Sequence, residues 1–372
     1  MQELLQSAVD NEVVPFAIAA RVTPDGIVEE GASGGAAMDS IFRIASMTKA
    51  ITSVAVMQLV EQGKLALDEP AETYTERLRG KQVVAGFDAD GTPRLRDPAS
   101  PPTIRQLLTH TAGFAYVVWN ADLLRVAKHM GMNMSRDVGA DILDLPLMSD
   151  PGTRWEYGIS TDVLGVVVES VSGQSLADYF DEHILHPLGM TDTHFNVPEN
   201  KQQRVLPAFS RGPEGLVQTM QGIAPTTFFS GGGGLASTPN DYARFLQALL
   251  RGGERGGQRI LDSAAVDLMA RNHTGALPIN PMITASPRFS EDCDFFPGQP
   301  KHWGLGFLMN ARDIPGRRRA DSLAWAGVHN THYWIDRQSG LAGLLMTQLL
   351  PFCDPAFLNL YEEVERAFYS GK

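Results

Sequence analysis

Ser46 and Lys49 lie three residues apart in Ser46-Met47-Thr48-Lys49, where a long apolar run begins. A serine hydroxyl is a weak nucleophile until a neighbouring base takes its proton, and an amine one helical turn away is placed to do that. Ile51, Val54, Ala55, Met57, Leu59 and Val60 carry the run to Gly63, which predicts a largely buried helix opening near Ser46 and closed by the glycine. On such a helix positions i and i+3 share a face, and the unpaired N–H groups of the first turn favour developing negative charge. Among the lysines only Lys49 has a serine three residues before it. A capping serine beside a solvated lysine has the same four letters, so two further segments decide the reading.

Tyr157 is the first, in the turn-rich Pro151-Gly152-Thr153-Arg154-Trp155-Glu156-Tyr157-Gly158 just ahead of a helix expected near Thr161. A phenol titrates near ~10 and an ammonium near ~10.4, so neither is a base at neutral pH unless each shifts the other. As a coupled pair they can take the Ser46 proton, and the sequence leaves open which member does so. Trp325-Ala326-Gly327-Val328 is the second, ahead of a strand over Thr331 to Asp336. Gly327 is expected to let a substrate approach the backbone, and the Val328 and Ser46 N–H groups together would form an oxyanion hole. Each such donor is worth ~2.7–4 kcal/mol of barrier.

The elements around these residues are legible from pattern. Phe16 to Val22 and Ile27 to Glu29 flank Thr23-Pro24-Asp25-Gly26 as a hairpin, and Asp88-Ala89-Asp90-Gly91 marks a second turn between Lys81 and Arg96. Thr103-Ile104-Arg105-Gln106 is a capping box, and Ala121 to Met190 reads as mainly helical. Gly231 to Gly234 suggest a flexible crossing and close backbone approach before a helix capped at Thr238 and running to Leu250. The match of Gly231-x-Gly233-x-x-Ala236 to a dinucleotide fingerprint lacks the strand and βαβ context that motif needs. Arg271 to Pro300 is an aperiodic loop placed to line a pocket. Strands over Thr331–Asp336 and Leu341–Gln348 precede a helix from Pro355 to Tyr369. The fold class is therefore α/β of the α+β type, an antiparallel sheet built from both termini with flanking helices and an inserted helical lobe. The expected division is 1–65 and 205–372 for the sheet domain and 66–204 for the helical domain, with the site in the cleft between them.

Composition narrows the partners. The net charge of −12 argues against nucleic acid and anionic membranes, which call for clustered Lys and Arg. Arg317-Arg318-Arg319 is the dense basic run, read as a solvated turn beside Gly316 or as a carboxylate contact near the site. Cys293 and Cys353 are too far apart to suggest a metal site or disulfide framework, which fits a reducing compartment. With Met1-Gln2-Glu3-Leu4-Leu5 lacking a basic start and no ~20-residue apolar span, the expected location is cytoplasmic. His329, His332 and Asp336 form an H-x-x-H pattern, but residues three apart on a strand face opposite ways, so no metal is expected. His329 can still reach the pocket mouth from beside Val328. His110 is expected to make structural hydrogen bonds, and the absence of G-x-S-x-G argues against an α/β-hydrolase triad.

In order and type, Ser46-x-x-Lys49, Tyr157-Gly158-Ile159 and Trp325-Ala326-Gly327 resemble the serine β-lactamase and penicillin-binding-protein superfamily, in its class C-like branch with the family VIII carboxylesterases. Phe42-Arg43-Ile44-Ala45 and Leu107-Leu108-Thr109-His110-Thr111-Ala112-Gly113 extend the likeness over nearly the whole chain. The resemblance implies catalytic Ser46, Lys49 and Tyr157 between two lobes, and Tyr116 as a pocket tyrosine beside Trp325, Gly327 and His329. Ile159 stands where β-lactamases carry the Asn of Y-x-N, and Trp325 where they carry the Lys of K-T-G. Both departures favour neutral, apolar esters over β-lactams. The expected activity is a serine carboxylesterase working through an acyl-enzyme on a small-molecule ester, without cofactor. Acyl transfer, weak β-lactam opening, or a sensor whose acyl-enzyme never turns over are the alternatives.

Overall fold

Alternation of apolar residues organises the sheet. β1 (Ala17–Thr23) and β2 (Gly26–Ser33) form the expected hairpin. From the other end of the chain come β3 (Lys301–Trp303), β4 (Leu308–Asn310), β5 (Leu323–Gly327), β6 (Thr331–Asp336) and β7 (Leu341–Met346). In this computed structural model, which describes residues 1–132 and 139–370, the seven strands form one sheet in the order β3-β4-β5-β6-β7-β1-β2. Every pair is antiparallel, and β7 lies beside β1, so the two ends of the chain close the sheet together. Residues 133–138, within the stretch read as helical from Ala121 to Met190, lie outside the described residues.

Period-two alternation assigns the faces. Ala17, Ala19, Trp334 and Leu345 pack against α1 (Gln2–Asp10) and α7 (Pro355–Ser370) through Leu5, Phe357, Val364 and Phe368. Ile18, Ala20, Tyr333, Ile335 and Leu344 face the larger core, where α6 (Pro239–Leu250) lies across β1 and β7. That core also encloses α2 (Thr48–Glu61), whose residues from Thr48 to Leu59 are all buried. A helix apolar on every side is stable only when surrounded. The sequence places its start at Ser46, but a 3₁₀ turn over Ala45–Met47 comes first, and α2 proper opens at Thr48.

The middle of the chain supplies α3 (Ile104–Leu108), α4 (Ala121–His129) and α5 (Ser160–Ser172). α3 begins with the capping box: the Thr103 hydroxyl accepts from Gln106 N–H and the Gln106 side chain accepts from Thr103 N–H. The second expected turn is also present, between strands Val83–Phe87 and Pro93–Arg96. Among the described residues no helix is long and apolar enough to cross a membrane.

Three readings are corrected. Cys293 and Cys353 are joined in a disulfide with Cα atoms 5.8 Å apart, so the thiols are not free and the argument for a reducing compartment falls. Chain folding brings them together: Met282 and Cys293 exchange backbone hydrogen bonds, and Glu291 N–H donates to Phe352 O at 2.8 Å. Linear spacing carries no trace of that contact. Arg318 is not in a solvated turn but wholly buried, its guanidinium bonded to Glu365 at 2.6 and 3.0 Å and to the Tyr361 hydroxyl. A buried guanidinium persists only when paired in this way. His329 and His332 part as expected, but both are buried. His332 stacks on Phe357 and Tyr361 on the α7 side, while His329 lies beyond β5, its carbonyl accepting from Leu349 N–H at 3.0 Å. Burial first, then the nearby cations Arg43 and Arg318 respectively, push each imidazole down to about 3.

Two outcomes follow. Cys353→Ser, or reduction of the disulfide, lowers unfolding free energy by roughly 2–4 kcal/mol in denaturant titration, since a bond spanning 60 residues restricts the unfolded chain strongly. His329 and His332 stay neutral when folded but protonate when unfolded, so their contribution is complete above pH ~6.5 and is lost as pH falls toward the folded values. Stability measured between pH 7 and 5 declines by up to about 1.4 kcal/mol per pH unit for each imidazole; replacing both with Phe flattens that slope.

Candidate active site

The turn that carries Ser46 is held from two sides. Ala45 adopts φ of 43°, a conformation uncommon outside glycine, and the next residue is the candidate nucleophile. β5 packs on this turn. A Cβ on Gly327 would collide with the Ile44 carbonyl and the Thr331 hydroxyl, so the glycine admits the backbone ahead of Ser46, not a substrate as the sequence suggests. Val328 follows directly and is partly exposed, as is Ser46.

Lys49 is buried at 1% exposure with three acceptors around its nitrogen. They are the Gly232 carbonyl at 2.7 Å, the Tyr116 hydroxyl at 3.0 Å and Ser46 Oγ at 3.3 Å. Each comes from a different stretch, which is why Ser46 and Lys49 alone describe only half of the arrangement. Gly231 and Gly232 thread between α2 and α5: a Cβ on Gly231 would meet Thr161 O and Thr52, and one on Gly232 would collide with the Asp162 carboxylate. Thr52 Oγ1 donates to Gly231 O at 2.6 Å and fixes the turn there. The close approach expected of this glycine run is therefore made, against α2 and α5.

Tyr157 and Tyr116 stand side by side with ring centres 5.2 Å apart. Gly158 permits this, because any side chain at 158 would strike Phe114 O and Ala115 Cα in the loop leading to Tyr116. Lys49 Nζ sits 4.9 Å from the centre of the Tyr157 ring and 5.1 Å from that of Tyr116, within cation–π range of both. The phenol hydrogen-bonded to Lys49 is Tyr116; Tyr157 OH instead accepts from the Trp325 indole N–H at 3.0 Å. Trp325 thus presents one neutral donor to the site. His329 is not among these contacts; the charge it feels is that of Arg43.

Two residues take parts that the sequence did not suggest. Asp162, on the first turn of α5 and 2% exposed, accepts from Tyr116 OH at 3.1 Å, from Gly232 N–H at 3.1 Å and from the Ser230 hydroxyl. Burial, then the Asp162 charge, holds the Tyr116 phenol well above its usual range. An acid in a helix's first turn ordinarily reads as a partner of the helix dipole, which hides this role. His110 was expected to make hydrogen bonds, but its ring packs on Tyr157 at 4.9 Å and edge-on to Trp303, and Nδ1 has no partner. Burial, then Lys49, holds that imidazole well below its usual value, so it backs Tyr157 as a neutral ring. Among the described residues no cluster of His, Cys, Asp or Glu could hold a metal ion. A small cavity of about 10 Å³ lies beside Trp325, bounded by Trp155, Ile279, Met282, Cys293 and Phe295, so residues of the 271–300 loop line a space against that tryptophan.

The sequence model of the family described as Beta-lactamase matches residues 3–365. Monacolin J acid methylbutanoyltransferase from Aspergillus terreus is 31% identical over 345 residues, covering 90% of this chain and 83% of that protein. Esterase EstB from Burkholderia gladioli is 31% identical over 359 residues, covering 87% and 81% respectively. The solved structure of a LovD6 mutant of simvastatin synthase from Aspergillus terreus superposes with a TM-score of 0.84 at 28% identity, covering 99% of this chain and 93% of that one. With the family pattern spanning both chain ends and the middle, and with esterases and acyltransferases as its relatives, the chain belongs to the beta-lactamase family and is a serine hydrolase of that kind.

Proposed function

We propose that the chain is a serine carboxylesterase acting on small, largely apolar esters through an acyl-enzyme on Ser46. The observation that carries this reading is the contact of Lys49 Nζ with Ser46 Oγ inside a buried aromatic wall formed by Tyr116, Tyr157 and Trp325. Ser46 Oγ attacks the ester carbonyl carbon, and the carbonyl electron pair moves onto oxygen, where the Ser46 and Val328 N–H groups would receive it. Lys49 and Tyr157 carry the serine proton to the departing alkoxide, so the alcohol leaves neutral. Water then repeats the sequence against the acyl-enzyme and frees Ser46. The cleft between the sheet domain (1–65, 205–372) and the helical domain (66–204) is the proposed setting.

Trp325 supports esters over β-lactams. A β-lactam carries a carboxylate that a cation would recognise, whereas an indole N–H already committed to Tyr157 gives it nothing. Acyl transfer is the second reading, favoured by the methylbutanoyltransferase among the relatives. It uses the same acyl-enzyme with an alcohol in place of water. The formed disulfide favours an oxidising compartment over the expected cytoplasm.

Brief exposure to p-nitrophenyl butyrate yields a butyryl adduct on Ser46 by intact mass, and Ser46→Ala loses both adduct and turnover while keeping its thermal midpoint. Turnover retained in Ser46→Ala removes the reading. Added alcohol that diverts the acyl group into a new ester, at the expense of free acid, selects transfer over hydrolysis. Trp325→Phe keeps the ring and deletes the donor, and lowers kcat by about 2–10-fold with a smaller change in KM, the scale of one hydrogen bond.

A further inference from the structure

The hydrogen-bond inventory around Lys49 settles a direction that distances alone do not. An ammonium has three donors and no acceptor; a neutral amine has two donors and one lone pair. The Gly232 carbonyl can only accept. The Tyr116 hydroxyl has a single proton, and it points to Asp162 Oδ2. Asp162 is an acceptor on both oxygens, since Ser230 and Gly232 N–H donate to Oδ1. Tyr116 therefore shows Lys49 only lone pairs. In the neutral amine both N–H groups go to Gly232 and Tyr116, and the lone pair has one neighbour left, the Ser46 hydroxyl.

We propose that Asp162 is a positioning residue that fixes the direction of the Tyr116 hydroxyl and thereby reserves the Lys49 lone pair for the Ser46 proton. This rests on the reading of Ser46 as nucleophile. The neutral amine takes the hydroxyl proton as Ser46 Oγ bonds to the ester carbon, and becomes an ammonium with three donors for its three acceptors. When the carbon–alkoxide bond breaks, that same proton returns by way of Lys49 and Tyr157 to the leaving oxygen, so charge and protons balance over acylation. Tyr116 keeps its proton throughout. Without Asp162 the phenol can turn and donate to Lys49, which consumes the lone pair.

Asp162→Asn tests this at constant size. Ser230 and Gly232 N–H hold the new side chain's carbonyl oxygen, so its NH₂ faces Tyr116 and donates to it. The phenol's proton then points at Lys49. The expected result is a loss of about 100-fold or more in the acylation burst with p-nitrophenyl butyrate, the scale of general-base catalysis, with little change in KM. Adding Tyr116→Phe removes the reversed donor and recovers at least about tenfold of that loss, whereas Tyr116→Phe alone stays within about tenfold of the native enzyme. A double variant no faster than Asp162→Asn, or Asp162→Asn acylating at the native rate, overturns the proposal. Should Asp162→Asn fail to fold, Tyr116→Phe alone decides: a loss as deep as that of Lys49→Ala would mean the Tyr116 hydroxyl itself moves the proton. The Ser46 adduct in the native enzyme is scored separately, so failure of the nucleophile reading is distinct from failure of the Asp162 one.

Discussion

A buried lysine nitrogen with three acceptors is the constraint around which the centre of the molecule is arranged. An amine taken out of water must have its N–H groups and lone pair satisfied inside the protein, each unsatisfied group costing about 1–3 kcal/mol. Lys49 is tolerable at its depth because Gly232 O, the Tyr116 hydroxyl and Ser46 Oγ surround its nitrogen. Two of them require unusual backbone. Gly232 O reaches Lys49 because neither Gly231 nor Gly232 has a side chain to hold α2 and α5 apart, and Tyr116 reaches it because Gly158 lets two loops touch. The glycines are thus part of the electrostatics, since a methyl group at any of the three would move an acceptor away from the amine.

The sheet serves the same centre from the other side. β5 brings Trp325 and Gly327 together, and these two residues contact different parts of the site. Trp325 holds Tyr157 by its indole N–H, while Gly327 holds the Ser46 turn by lying on Ile44. The phenol and the serine are consequently referenced to one strand, itself central in the sheet between β4 and β6. β5, like its neighbours β6 and β7 on that side of the sheet, is buried at every position, so the strand lies in the interior and not at a surface. A site referenced to one interior strand keeps its distances better than one assembled from loops.

Much of this was legible from residue order, and the limits have physical causes. Hairpin, capping box, buried α2 and the sheet from both ends follow from periodicity and turn chemistry, which act over a few residues. Ser46 with Lys49 was visible because i, i+3 spacing is itself local. What could not be read depends on contacts across long separations. The Cys293–Cys353 bond spans 60 residues, and the Arg318–Glu365 pair spans 47. Asp162 was hidden for a further reason: an acid on the first turn of a helix already has a sufficient local explanation. Gly327 was singled out correctly but for the wrong neighbour, because a glycine announces close approach without naming what approaches.

The choice between water and alcohol as acyl acceptor turns on a different part of the molecule from the choice of nucleophile. On the proposed mechanism both acceptors meet the same carbonyl and the same proton carriers, so nothing in the Ser46, Lys49, Tyr116 and Asp162 arrangement distinguishes them. Discrimination therefore falls to the walls that admit and hold the second substrate. On that reading the 271–300 loop is one such wall, tied down by the disulfide, by Ala285 N–H on Val118 O at 2.7 Å and by the Trp119 indole on Ser290 at 3.0 Å. Trp119 also packs on Tyr157 at 5.4 Å, so one indole touches both the loop and that phenol. On the proposed reading, reshaping that loop would shift the balance between hydrolysis and acyl transfer while leaving Lys49 and the groups around its nitrogen untouched.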